Sequence, residues 1–305
     1  MQGVVVLAAR AWLAWPARTI AVPTYRVAAV QGNIAQSLKA TPAAFFEAIG
    51  RYETLTLAAA SGRPAIVLWP ETVILTSLNT QPQLRAQFAA LAKHVHAELV
   101  VGTLLVDKTG EYNALYFFRP DGGLDSIYRK RQLVPFAEHL PLRSLLSWIP
   151  WTREIAHYGI GTDDGVVTVE GQRFGPIVCW ESAFSGLARR DVARDRATAL
   201  LVATDDAWFG TTAGPYQHAQ IAQMRAIETG GWIVRAASTG VSGIIAPNGR
   251  YTQQSHVGEQ TVVRGAIGAP VDTIYDAVGE RIVAGALATI YVGAIVVGRR
   301  RRRRA

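Results

Sequence analysis

Between about Val27 and Val263 the chain alternates short apolar runs with segments of helical pattern, and this alternation restricts the available folds more than any other feature. The apolar runs are Val27–Val30, Ala65–Trp69, Leu99–Leu105, Ala114–Phe118, Val166–Val169, Pro176–Cys179, Ala199–Ala203, Trp232–Ala236 and Gly243–Ala246. Each reads as a strand. The segments Pro42–Ala60, Pro82–Ala97, Phe184–Arg194 and Pro215–Thr229 read as helices. Thr41-Pro42, Gln81-Pro82 and Gly214-Pro215 each put proline where a first helical turn tolerates it, because the missing N–H has no partner there anyway. Strands and helices in this order predict a layered α/β (α+β) domain around a buried sheet. No Pro/Gly/Ser-rich linker divides it, so the 305 residues read as one large domain with appended ends.

The single cysteine, Cys179, excludes an internal disulfide framework. The net charge of +8 misleads: six of the positive charges form the terminal run Arg299–Arg304. Without them the body is nearly balanced, which gives no support to nucleic-acid binding.

The ends differ in kind from the body. Ile282–Gly298 is a 17-residue uncharged apolar run followed directly by the arginines. As a helix it is about 26 Å long, at the short end of what crosses a bilayer core. The arginines favour a transmembrane helix over 282–298 with a basic cytoplasmic tail over 299–305, because positive residues collect on the cytoplasmic side. The domain before them then lies on the opposite, outer side. Residues 1–25 are apolar but interrupted by Arg10 and Arg18, with neither the basic start nor the cleavage site of a signal peptide. They read as a membrane stub.

Four residues carry the chemistry. Cys179 ends an apolar run in GPIVCWES, which places a sulfur at a strand's carboxyl edge. Glu71 follows a second such run in IVLWPET. Lys130 stands in YRKRQLVPFAEHLP, one of only four lysines against 27 arginines, and its compact charge suits an oxyanion. Glu138, eight residues on, is placed to hold it through an ion pair. Taken singly, each has an ordinary alternative: an inert buried thiol, a carboxylate after a strand, a solvated basic turn.

Together and in order, WPET, YRKRQLVPFAEHLP and CWES resemble the Glu–Lys–Cys signature of the nitrilase (carbon–nitrogen hydrolase) superfamily. The block TDDAWFGTTAGPYQH and the opening VAAVQGNIAQSLK are similar to its membrane-associated branch, the apolipoprotein N-acyltransferases. The resemblance covers about residues 26–270. It implies an αββα sandwich, with Glu71 as general base, Lys130 as transition-state stabiliser, Cys179 as nucleophile and Glu138 as a second carboxylate. It also implies that Trp180, Glu181 and Trp208 lie against substrate, Trp180 through its backbone N–H. The family normally carries several membrane helices before this domain.

The activity so implied moves a fatty acyl chain from a phospholipid, through a Cys179 thioester, to the N-terminal amine of a diacylglyceryl-cysteine lipoprotein. It needs no metal or organic cofactor. The expected surroundings are the bacterial inner membrane, with the catalytic domain on the periplasmic side. Two other readings stay open: a membrane-tethered amidase using the same residues, and an inactive remnant. His94 and His96, two apart on a predicted helix, do not share a face and suggest no metal site. Trp148, Trp151 and Tyr158 flank a loop that either packs over the core or dips into the lipid interface.

Overall fold

The computed structural model describes residues 22–34, 42–162 and 165–302. At its centre lie two six-stranded sheets. The first contains β1 (Tyr25–Gln31), β2 (Ile66–Leu68), β3 (Glu98–Asp107), β4 (Gly110–Phe118), β5 (Leu124–Arg129) and, from the far end of the domain, β12 (Thr261–Ile267). Their order is β12-β1-β2-β3-β4-β5. The second contains β6 (Val167–Val169), β7 (Gln172–Val178), β8 (Ala199–Thr204), β9 (Trp232–Ala237), β10 (Gly243–Ile245) and β11 (Tyr251–Gln254), in the order β11-β10-β9-β8-β7-β6. In each sheet three central strands run parallel, β1–β2–β3 and β7–β8–β9, and the outer pairings are antiparallel.

The two-residue side-chain period of a strand explains why the sheets sit between helices. Val27, Ala29, Ile66, Leu68, Leu115 and Phe117 of the first sheet meet Phe174, Val178, Leu201 and Val234 of the second in one inter-sheet core. Their neighbours Ala28, Val30, Val67, Val101 and Phe118 face the other way, into a core with Ile49, Tyr52, Phe88 and Leu91. Those four belong to α1 (Pro42–Ala59) and α2 (Pro82–Val95). On the far side, Ile177, Leu200, Val202 and Ile233 pack on Ala188, Ala222 and Ala226 of α3 (Ser185–Arg189) and α4 (Gly214–Thr229). The layers are therefore α, β, β, α. Strands buried on both faces need unbroken apolar sequence, which is why their runs are so readable.

All nine expected strands are present, and β5, β11 and β12 add to them. The expected helix over 184–194 forms as α3 followed by one π-helical turn, Arg190–Arg194.

The C-terminal expectation needs correction. A helix does form, α5 (Arg281–Arg302). Among the described residues, however, no helix is long and apolar enough to cross a membrane. The expected transmembrane helix is not supported, although Leu287, Ile290, Tyr291 and Val292 along α5 are exposed. Residues 1–21, most of the expected stub, and the side chains of the arginine tail lie outside the described residues.

Candidate active site

Parallel strands deliver their following loops to one edge, and the candidate residues gather there. Glu71 comes just after β2. Its loop passes across β3 so closely that a Cβ on Gly102 would lie 2.0 Å from the Pro70 carbonyl oxygen, which excludes any side chain at 102. The loop is pinned by Trp69 N–H to the Val100 carbonyl at 2.8 Å and Val73 N–H to the Gly102 carbonyl at 3.0 Å. Lys130 follows β5, and its N–H is held by the Asn113 carbonyl on β4 at 2.9 Å. Glu138 sits in the succeeding turn, where its Oε2 accepts from the Val134 N–H at 2.8 Å.

The structure brings these residues together. Lys130 is 1 % exposed. Its Nζ donates to Glu71 Oε1 at 2.8 Å and to Glu138 Oε1 at 2.8 Å. Asn113 Nδ2 donates to the same two oxygens, at 2.7 and 3.0 Å. Glu71 Oε2 accepts the Asp205 N–H at 3.0 Å. A buried ammonium is thereby held between two carboxylates.

The electrostatics follow from this packing. Burial pushes the Glu71 carboxyl up, but Lys130, with the Asn113 amide and Asp205 N–H, outweighs it and holds the group below the usual carboxylate range. Burial pulls the Lys130 ammonium down, and Glu71, Cys179 and Glu138 more than reverse it, so the lysine stays charged. Cys179 feels the opposite balance. Burial and the Glu71 charge raise its thiol well above the ordinary range, and Lys130 only partly offsets them. The resting site is a neutral thiol beside an ionised carboxylate and a charged lysine.

Cys179 stands where β7 ends and a short 3-10 turn, Cys179–Ala183, begins. Its φ of 48° is left-handed, a conformation that costs a non-glycine residue and persists only where the surroundings enforce it. One enforcing group is Glu181. It is 0 % exposed and accepts from the N–H groups of Val178 at 2.7 Å, Arg131 at 2.6 Å and Gln132 at 3.1 Å. It also accepts the Tyr128 hydroxyl, at 2.8 Å to Oε2. Glu181, expected against substrate, has its oxygens engaged inside the wall, bracing the thiol's turn. Trp180 is half-exposed and packs edge-on against Phe184, with centroids 5.9 Å apart. Trp208 is 72 % exposed, on the 3-10 turn Asp206–Phe209.

Two groups escaped the sequence reading. Asn113 lies inside the apolar run of β4 and looks there like an ordinary strand residue. A lone amide within such a run was the available signal, since a buried amide must find partners. The second is a buried cluster beneath the thiol: Asp206, His218 and Arg235.

Comparison with known proteins agrees with the geometry. Residues 26–271 match the carbon-nitrogen hydrolase family. The apolipoprotein N-acyltransferase of Pseudomonas syringae pv. tomato is 32% identical over 250 residues, covering 80% of this chain and 49% of the relative. Its counterpart in Geobacter metallireducens is 30% identical over 249 residues, covering 80% and 48%. The chain thus spans about half the length of these relatives. Among solved structures, an amidase from Nesterenkonia sp. AN1 superposes with a TM-score of 0.63 at 18% identity, covering 87% of this chain and 100% of that one. Nit3 of Saccharomyces cerevisiae gives 0.62 at 19% identity, covering 88% and 97%. The double-sheet fold, the grouping of Glu71, Lys130 and Glu138, and the match over 26–271 lead to one conclusion: this chain is a member of the carbon–nitrogen hydrolase, or nitrilase, superfamily.

Proposed function

We propose that the chain is an N-acyltransferase acting through a thioester on Cys179. The observation that carries the reading is the buried Lys130 held between Glu71 and Glu138, in electrostatic reach of the thiol. The named relatives supply the class of reaction.

In the first step Cys179 Sγ attacks the carbonyl carbon of a phospholipid acyl ester while Glu71 takes the thiol proton. Lys130, and the Trp180 N–H, face the negative charge that develops on the carbonyl oxygen. The ester C–O bond breaks, and the lysophospholipid alkoxide leaves with the proton from Glu71. In the second step the α-amine of a diacylglyceryl-cysteine lipoprotein attacks the thioester. Glu71 accepts an amine proton and returns it to the departing sulfur. Because the resting thiol is neutral, proton removal accompanies attack rather than preceding it.

Both substrates are lipids, so the site must work beside a bilayer. Trp148, Trp151, Trp208 and the apolar residues of α5 are exposed, the disposition expected of groups that meet lipid. On this reading α5 is the element that engages the inner membrane. With an amide as acyl donor and water as acceptor, the same thioester chemistry is an amidase's, the activity named for the Nesterenkonia neighbour. The donor and the acceptor, not the catalytic residues, separate the two.

Intact mass after incubation with phosphatidylethanolamine tests the reading. The protein gains one acyl chain, hydroxylamine removes it, and Cys179→Ala gains nothing. A folded protein that never gains mass would overturn the thioester step.

A further inference from the structure

The cluster beneath the thiol has no part in the steps above, yet it touches the nucleophile's own backbone. His218 projects from α4, and its Nε2 lies 3.2 Å from the Cys179 carbonyl oxygen and 3.0 Å from Ser182 Oγ. Ser182 Oγ in turn donates to the same carbonyl at 2.8 Å. On its other side the ring places Nδ1 2.8 Å from Asp206 Oδ1. Asp206 is fixed by Arg235 Nη2 at 2.7 Å and by the Thr204 hydroxyl at 3.0 Å. Arg235, entirely buried on β9, also donates Nε to the Val241 carbonyl at 3.0 Å. The backbone at Gly240 closes over this arrangement: a Cβ there would lie 2.0 Å from Asp206 Oδ2.

The carboxylate of Asp206 can only accept, so the ring donates Nδ1–H to it, and Nε2 faces the Cys179 carbonyl and the Ser182 hydroxyl together. Arg235 and Asp206 from the β8 and β9 ends, Arg225 from α4 itself, and Glu71 and Lys130 across the thiol are the charged groups around it.

We propose that His218 is a positioning residue for the nucleophile. Oriented by Asp206 and anchored through Arg235, it holds the Cys179–Ser182 turn through Nε2 and locks the left-handed conformation that presents the sulfur to Glu71 and Lys130. Three strand ends, β7, β8 and β9, are thereby tied to one atom of the elbow. The assignment rests on Cys179 being the nucleophile proposed above, but not on the acyl substrate.

Alkylation by iodoacetamide, followed by intact mass, tests it, because Cys179 is the chain's single cysteine. His218→Ala slows alkylation at least tenfold. His218→Gln, whose amide nitrogen can occupy the place of Nε2, recovers to within threefold of the unmodified protein. Alkylation of the alanine variant at the original rate would overturn the proposal. So would equal slowing in both variants, the mark of a merely structural role. Should the alanine variant fail to fold, His218→Asn, whose shorter amide cannot reach the turn, is compared with His218→Gln. Slowed alkylation in the asparagine variant alone supports the proposal, and equal rates overturn it. Neither readout depends on phospholipid, so a protein that refuses acyl loading still answers the question.

Discussion

Lys130 and Arg131 stand side by side in the chain and both are buried, but their head groups belong to different networks. Lys130 turns to Glu71 and Glu138, at the strand edge where the thiol lies. Arg131 turns into the wall, where Nη2 meets Asp191 Oδ2 at 3.0 Å and Nε meets the Tyr128 hydroxyl at 2.8 Å. The lysine offers a compact charge that a reacting oxygen can approach. The arginine offers a rigid fork that joins β5 to the π-helical turn after α3. On the proposed mechanism, two adjacent basic residues thus divide chemistry from framework, and sequence position alone would not tell them apart.

The largest effect that sharpens this contrast is on stability. Arg131→Ala takes from the buried Asp191 the guanidinium held at 3.0 Å, and unfolding in urea should show a loss of about 3–5 kcal/mol. A loss within the noise of the measurement would remove Arg131 from the framework. Lys130→Arg tests the other side. It keeps the charge but replaces a point donor with a planar fork, so acyl loading should fall by roughly 100- to 1000-fold while the melting midpoint changes little. Undiminished loading would break the distinction.

The smallest effect concerns a buried charge with neither role. Glu98, at the start of β3, is 2 % exposed, and its Oε1 finds no hydrogen-bond partner among the described residues. Burial first, and the neighbouring Asp125 charge second, push its carboxyl up to about 7. The unfolded chain releases that proton near the ordinary glutamate value of about 4.3. The folded state therefore binds more protons between those values, and stability falls as the pH rises through that window. Glu98→Gln should stabilise the protein at pH 8 by about 1–2 kcal/mol and flatten the slope. An unchanged slope in pH-dependent unfolding would show that Glu98 reaches solvent.

The legible parts of the molecule were those whose physics is local. Strands β2, β8 and β9 are buried on both faces and must be apolar throughout, so each appears as a run. Glu71 and Cys179 stand out because each ends such a run. The unread strands obey non-local rules. β5 (LDSIYR) is an edge strand, partly wet, and its polar residues hide it. β11 (YTQQ) is likewise an edge. β12 is recruited to β1 from the opposite end of the domain, which no window of sequence displays. In the site, the pairing of Lys130 with Glu138 was suggested by their spacing, and Glu71 was joined to them by the family resemblance. Asn113, His218 and Arg235 act through partners distant in sequence. Glu181 sits next to the thiol in sequence, but its side chain turns back into the wall.

The pairing of β1 with β12 also sets a timetable. Tyr25 partners Ile267 and Gln31 partners Thr261, so one edge of β1 has no ladder until the last strand exists. At a synthesis rate of about 5–20 residues per second, that wait lasts roughly 10–50 seconds. Throughout it, an apolar edge of the first sheet stays open to any other strand it meets. A nascent chain of this architecture therefore passes through a sticky interval that ends only when its final strand arrives, and whatever shields β1 in that interval governs how much protein survives to be active.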